Sequence, residues 1–275
     1  MLDFAGAEFP ADVRAALEAF CIEVSKHPQG GTVEGRVVLA EDGPDGFVEA
    51  LRVYMDTLEF QGWLSRRPGR TGITGGKTFA SEDGVITAVL SHIGGQDLLD
   101  LAAHELIEMA HSLQQREADF RHPTNPDEAD GLTLYDEYRV ERVRRELADS
   151  LGWPEGRMDG VLALHPAVEE IASRMPDHRF DPPANDFFVA WLEMARAWTM
   201  ACGRAAAGSQ TAKEDVAQWA EHRLIADGGW QPVQRSLDDL FRQTHLTLEE
   251  IPPFAASTVR RPILDYGRAA WRQGP

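Results

Sequence analysis

The sequence has little cysteine and little positive charge for its length. Its two cysteines, Cys21 and Cys202, stand far apart and form no C-x-x-C pair, which argues against a disulfide framework and against a thiolate zinc site. The chain has 27 Lys and Arg residues against 45 Asp and Glu residues, for a formal net charge of -18. Such an acidic chain lacks the cations that displace counterions from a phosphate backbone. We therefore expect no nucleic-acid partner.

Long apolar segments are also missing. No apolar run approaches the roughly 18 residues that a membrane-spanning helix needs. The first residues, MLDFAGAEFPADV, carry acids in place of the basic stretch of a signal peptide. We therefore expect a soluble, cytoplasmic protein without a membrane partner. Its 275 residues, 43% of them apolar, can fill the core of one large domain or of two modest ones.

Apolar periodicity and turn signals predict helices and a small sheet in the first half of the chain. In KTFASEDGVITAVLS, two short runs flank Asp83-Gly84, a pair that commonly closes a β-hairpin. The other predicted elements are a helix behind Pro10, a strand in GRVVLA, and helices over about 45–64, 97–117 and 133–151.

From Gly152 onward the pattern predicts a helical region. The candidate helices cover 165–175, 185–207, 212–225, 234–245 and 262–271. Gly, Pro and Asp residues separate them. We place a boundary here, with a first domain at 1–152 and a helical region at 153–275 that either forms a second domain or extends the first.

The stretch A-A-H-E-L-I-E-M-A-H, residues 102–111, carries the most specific chemical signal. His104 and Glu108 are four residues apart, so on an α-helix they stand one above the other and can share a metal ion. Glu105 lies about 100° around the helix from His104, where it could act as a general base toward a water molecule. The stretch is therefore an H-E-x-x-E variant of the H-E-x-x-H metal motif.

This helix, the hairpin before it and the helix after it resemble the zincin metallopeptidases, and among them the gluzincins. The later helix reads L-T-L-Y-D-E-Y-R-V-E-R-V-R-R-E-L, and its Glu137 matches the third gluzincin ligand. The resemblance covers roughly residues 75–150. It implies an α+β fold, in which a zincin-like domain with a small sheet and two active-site helices is extended by the helical C-terminal region. It also implies an edge strand along which a peptide substrate pairs, at Val85, Ile86, Thr87 and Ala88.

The resemblance further implies a metal-dependent hydrolase of the peptidase or amidase type, acting on a peptide or protein. His104, Glu108 and Glu137 would hold one divalent metal ion, and Glu105 would take the proton from the attacking water. Zinc accepts such nitrogen and oxygen ligands, while a total ligand charge of about minus two shifts the preference toward harder ions. We expect zinc first, with manganese or iron as the alternatives.

Three further candidate site residues lie on the predicted helix over 133–151. Glu141 could supply another carboxylate, and Tyr135 and Tyr138 could donate hydrogen bonds to an oxyanion. Each has an ordinary structural alternative, because carboxylates at this spacing pair with Arg144 and Arg145, and tyrosines pack in cores.

Other interpretations of the motif helix stay open. A surface amphipathic helix would explain its polar stripe without a metal. A zincin-like protein without activity would bind a peptide or protein partner without cutting it. Glu108 and His111 form an E-x-x-H pair, as in carboxylate-bridged di-iron oxidases, although no second such pair follows in the sequence. The sequence indicates no oligomeric state.

Overall fold

The computed structural model describes residues 2–43, 45–65, 75–93, 95–117, 123–124, 126–154, 182–220 and 230–243. Within these ranges the protein has an α+β fold, with one mixed four-stranded sheet and eight helices, which confirms the predicted class. No helix among the described residues is long and apolar enough to cross a membrane.

The chain divides into two compact units. The first comprises Met1–Asp119 and Leu147–Gly156, and the second comprises Phe120–Glu146 and Arg157–Pro275. This division differs from the predicted boundary at residue 152, because Phe120–Glu146 groups with the second unit.

The first unit contains the sheet and four helices. Its elements are β1 (Leu2–Gly6), α1 (Ala11–Lys26), β2 (Gly35–Leu39), α2 (Gly46–Tyr54), α3 (Thr57–Ser65), β3 (Gly76–Ala80), β4 (Ile86–Leu90) and α4 (Gly95–Glu117). The strand order is β1-β2-β4-β3, in which β1, β2 and β4 run parallel and β3 runs antiparallel to β4. The predicted strand in GRVVLA and the predicted hairpin are both confirmed, whereas β1 was not predicted.

Two layers of helices cover the sheet in this unit. Val38 and Phe79 of one face belong to an apolar core that includes Phe47 and Leu51 of α2 and residues of α3. Side chains alternate between the faces of a strand, so Gly76 and Thr78 of β3 lie on the face opposite Phe79. Helix α4 packs against β3 and β4 on that opposite face, and it also contacts α1.

The hairpin between β3 and β4 closes as the Asp-Gly pair predicts. Gly84 has a φ of +77°, a conformation that glycine adopts without steric cost. The backbone N–H of Ser81 donates to the carbonyl of Val85 at 2.9 Å, and the N–H of Gly84 donates to the carbonyl of Ser81 at 2.8 Å. These bonds fix the register in which Thr78 lies opposite Ala88.

The prediction that Val85, Ile86, Thr87 and Ala88 form an edge strand is wrong. Strand β4 lies between β2 and β3, and it pairs with both of them. Its backbone donors and acceptors are therefore used on both sides, and no peptide can pair along it. The second strand of the hairpin lies inside the described sheet, and β3 forms one of its two edges, with β1 at the other.

The predicted helix over 45–64 is two helices. Met55 has an extended backbone between α2 and α3. The Oδ1 atom of Asp56 accepts hydrogen bonds from the backbone N–H groups of Leu58 at 2.8 Å and Glu59 at 3.2 Å. Asp56 thus caps the start of α3. Its side chain competes with the backbone for hydrogen bonds at this point, and the apolar spacing alone does not predict that break between the helices.

The described part of the second unit is helical. It contains α5 (Pro126–Ser150) as far as Glu146, together with α6 (Pro182–Ala206), α7 (Gln210–Ala220) and α8 (Trp230–Phe241). These confirm helices predicted over 133–151, 185–207 and 212–225, as far as those ranges are described. The helix predicted over 234–245 is also present, but it begins at Trp230 and ends at Phe241. The helices predicted over 165–175 and 262–271 lie outside the described residues.

Helix α5 begins earlier than predicted. Proline is accommodated in the first turn of a helix, so α5 starts at Pro126, ahead of the predicted start at about residue 133. The carboxylate of Glu128 accepts hydrogen bonds from the backbone N–H of Thr124 at 2.8 Å and from its hydroxyl at 3.1 Å. These contacts tie the preceding chain to the first turn.

Buried ion pairs join α5 to α6 in this unit. Glu141 is 1% exposed, and its Oε2 accepts hydrogen bonds from Nη2 of Arg144 at 2.8 Å and from Nε of Arg204. Nε of Arg196 donates to Oε1 of Glu137 at 2.9 Å. The charges of these carboxylates are thus offset by guanidinium groups, as buried charges require.

Replacing Glu141 should destabilise the protein more than replacing an exposed ion-pair partner. We expect Glu141→Gln to lower the free energy of unfolding by about 3 kcal/mol, because it removes a carboxylate that two largely buried guanidinium groups share. The matched control is Glu18→Gln, since Glu18 and its partner Arg14 are 55% and 54% exposed. That control should cost about 0.5 kcal/mol or less. Urea unfolding followed by circular dichroism measures both, and equal losses would contradict the prediction.

Candidate metal centre

The polar residues of the motif lie in the middle of α4, where the apolar side of the helix anchors them. Ala102, Leu106 and Met109 are fully buried in the core. On the other side, Nε2 of His104 lies 3.5 Å from Oε1 of Glu108, with the two side chains 12% and 26% exposed. The i, i+4 spacing therefore brings the imidazole and the carboxylate together, as predicted.

Glu105 is the most deeply buried of the three motif residues, with 4% of its surface exposed. Its Oε2 accepts a hydrogen bond from the hydroxyl of Thr78 on β3 at 2.7 Å. Its carboxylate also lies directly over Gly76, where an added Cβ would come within 2.3 Å of Oε1. The carboxylate is therefore held between α4 and β3.

Burial shifts the protonation of Glu105. Loss of solvation, followed by the charge of Glu108, raises the pKa of the Glu105 carboxyl to about 8. His104, the hydrogen bond from Thr78 and the charge of Lys77 act in the opposite direction on this pKa, but more weakly. Glu105 can thus exchange a proton near neutral pH, which is the property that a general acid or base needs.

Together the three side chains form a group that could hold a metal ion. One donor atom from each of His104, Glu105 and Glu108 can be chosen so that all three lie within 4.8 Å of one another. A nitrogen and two carboxylate oxygens are ligands that zinc, manganese and iron all accept. Two neighbouring carboxylates also repel each other, and a bound cation would relieve that repulsion.

The polar stripe of α4 is not the solvated face of a surface helix. A surface helix would expose its polar residues, whereas Glu105 and His111 are 4% and 3% exposed. Nε2 of His111 lies 3.2 Å from the backbone carbonyl oxygen of Gln29. This contact gives His111 a structural role in holding the chain that follows α1.

The remaining predicted residues lie on α5 within the second unit. Tyr135 and Tyr138 are buried, and the hydroxyl of Tyr138 donates to Asp238 and accepts from Nη1 of Arg142 at 3.0 Å. Glu137 and Glu141 form the ion pairs with arginines given above. The assignment of Glu137 as a metal ligand, and of Glu141 and the tyrosines as further site residues, stays a prediction.

Sequence reasoning missed Gly76 and Thr78. Both lie on β3, which β4 separates from the motif helix in the sequence, so no spacing rule connects them to Glu105. The available signal was weak: Thr78 alternates with Lys77 and Phe79 on the predicted strand, and Gly76 comes directly before it, which would put Gly76 and Thr78 on one face if the strand began one residue earlier.

Comparison with protein-family models, with curated proteins and with solved structures found no match to this chain in any of the three.

The raised pKa of Glu105 predicts a pH dependence of stability in protein stripped of metal by EDTA. The unfolded carboxyl loses its proton near the ordinary pKa of 4.5, whereas the folded carboxyl keeps it up to about 8. Folding therefore takes up a proton in this window, and the stability contributed by Glu105 falls as the pH rises through it. Melting temperatures of wild type and Glu105→Gln should consequently differ in a pH-dependent way.

The measurement is differential scanning fluorimetry between pH 4.5 and 8, with Glu18→Gln as the control for loss of an exposed carboxylate. Wild type should lose stability relative to Glu105→Gln as the pH rises, while the control follows wild type. A constant difference between wild type and Glu105→Gln over the whole window would contradict the raised pKa.

Proposed function

We propose that this protein is a metal-dependent hydrolase with a zincin-like domain, acting on peptide or amide bonds. The observation that carries the proposal is the pairing of His104 with Glu108 on successive turns of α4, beside a buried Glu105. A pair of ligands and an adjacent buried carboxylate match the needs of metal-assisted hydrolysis.

The donor set fits a divalent cation. His104 offers an imidazole nitrogen and Glu108 a carboxylate oxygen, and the cluster is only partly open to solvent. Zinc is the first candidate, and the carboxylate in place of a second imidazole makes manganese and iron the alternatives. When bound, such an ion supplies Lewis acidity toward water and toward a carbonyl oxygen.

The side chains of this chain would divide the remaining work. His104 and Glu108 bind the cation, and Glu105 accepts the proton of the attacking water at its carboxylate. Glu105 then returns that proton to the leaving amine. Deep burial of Glu105 keeps bulk water from competing for the proton.

Glu137 is the third ligand that the resemblance to gluzincins implies. Its Oε1 already accepts a hydrogen bond from Arg196. A metal would therefore share this carboxylate with a guanidinium group, so the role of Glu137 needs a test separate from those of His104 and Glu108.

The described sheet has two edge strands, β1 and β3, and the one that contacts Glu105 is β3. An added strand gains backbone hydrogen bonds along such an edge. Because β3 also contacts Glu105 through Thr78, a peptide bound there would lie close to the proposed base.

Metal content tests the ligand assignment. Protein purified without an affinity-metal step should contain about one zinc, manganese or iron per chain by inductively coupled plasma mass spectrometry. His104→Ala and Glu108→Ala should weaken binding of the metal at least about 100-fold, since loss of a ligand exceeds the effect of losing its hydrogen-bonding support. Glu137→Ala examines the third ligand independently.

The control is Asp97→Asn, which removes an exposed carboxylate from the first turn of the same helix and should retain the metal. Wild-type protein that takes up neither Zn²⁺ nor Mn²⁺ would refute the hydrolase. That result would instead favour a protein that binds a peptide or protein partner without cutting it.

Glu105→Gln separates the base from the ligands. We expect this variant to keep its metal while hydrolysis of a quenched fluorescent peptide mixture falls by about 100- to 10,000-fold, the range for loss of a general base. Asp97→Asn again serves as the control. Hydrolysis that survives in Glu105→Gln would remove Glu105 from the proton-transfer role.

A further inference from the structure

Two residues of β3, Gly76 and Thr78, contact the carboxylate of Glu105. Thr78 donates its hydroxyl to Oε2 at 2.7 Å and lies 3.2 Å from the backbone carbonyl of Glu105. Gly76 lies on the same face of the strand, and a Cβ there would meet Oε1 at 2.3 Å and both Cδ and Cγ at 2.6 Å. Thr78 thus provides the hydrogen-bond donor, and Gly76 provides the space that the carboxylate occupies.

Position 76 requires glycine because a Cβ would clash there, and not because of its backbone conformation. Gly76 is not among the described glycines with positive φ, so an alanine could adopt its conformation. What an alanine could not do is avoid the Glu105 side chain, which is itself confined by burial.

Pairing within the hairpin fixes the positions of Gly76 and Thr78. Gly76 pairs with Leu90 and Thr78 pairs with Ala88, and both partners are fully buried in β4. Just before β3, the N–H of Gly75 donates to the hydroxyl of Ser91 at 2.6 Å, and the N–H of Ser91 donates to the carbonyl of Gly75 at 2.9 Å. The start of β3 is therefore tied to the interior strand.

We propose that Gly76 and Thr78 are positioning residues, which together fix where the Glu105 carboxylate lies. The Thr78 hydroxyl binds Oε2, and Oε1 lies against Gly76. The inference rests on the proposed function in taking Glu105 as the base, but the position of the carboxylate can be measured without metal or substrate.

The test compares Thr78→Val with Thr78→Ser. Valine keeps the shape of threonine and loses the hydroxyl, whereas serine keeps the hydroxyl and loses a methyl group. If Thr78 positions Glu105, valine should be the damaging change and serine should rescue. A role in packing alone would give the reverse order.

Two readouts are needed. In crystal structures of the metal-free variants, Glu105 should move away from residue 78 in Thr78→Val and stay in place in Thr78→Ser. In the metal-loaded protein, Thr78→Val should lower kcat by about 10- to 100-fold at unchanged KM and metal content, the range for a displaced catalytic group. Thr78→Ser should stay within a few-fold of wild type.

Gly76→Ala provides a second line of evidence, with Gly62→Ala on α3 as its control, because a Cβ at Gly62 meets nothing within 4 Å. We expect the alanine at position 76 to displace the Glu105 carboxylate and the control to leave it unmoved. An unmoved carboxylate in both Thr78→Val and Gly76→Ala, or a loss in Thr78→Ser equal to that in Thr78→Val, would overturn the inference. Wild-type protein without hydrolysis would refute the proposed function alone, since the crystal structures would still decide the position of Glu105.

Discussion

Glu105 brings a carboxylate into the interior between α4 and β3, and a buried ionisable group must be compensated there. The structure compensates it partly by raising its pKa and partly by the hydroxyl of Thr78. The geometry leaves little freedom, because Gly76 fits under the carboxylate and any larger residue would not. A shift of β3 by one residue would turn Lys77 and Phe79 toward α4 instead. The register of the hairpin is therefore a condition for the cluster on α4.

Three buried carboxylates among the described residues, Glu105, Glu137 and Glu141, have different electrostatic surroundings. Glu137 and Glu141 accept hydrogen bonds from arginines, so their charge is already offset within the protein. Glu105 instead lies near a second carboxylate, Glu108, whose charge raises its pKa. A bound cation would stabilise a carboxylate that is already paired with arginine only slightly. It would stabilise two adjacent carboxylates more, because it would offset their mutual repulsion. These charges therefore favour a cation at α4 over one at α5, and among the three predicted ligands Glu137 is the one whose charge an arginine already offsets.

Local signals in the sequence predicted local structure well. The Asp83-Gly84 pair gave the hairpin, and the i, i+4 spacing gave the approach of His104 to Glu108. Errors arose where a single side chain or a distant partner decides the outcome. Asp56 divides a continuous apolar pattern into two helices through its own carboxylate. The order of strands depends on neighbours far away in sequence, which is why β4 was expected at an edge and Thr78 was not connected to Glu105 at all.

The glutamate at position 108 has consequences beyond the choice of ligand. In an H-E-x-x-H motif the residue at this position is an imidazole, which is neutral when it binds a metal and adds no negative charge beside the base. In this chain the Glu108 carboxylate raises the proton affinity of Glu105. The same negative charge attracts a cation and lowers that cation's acidity toward water. In the proposed hydrolase, the carboxylate at position 108 would therefore affect three properties, which are the preferred metal, the acidity of its bound water and the pKa of Glu105.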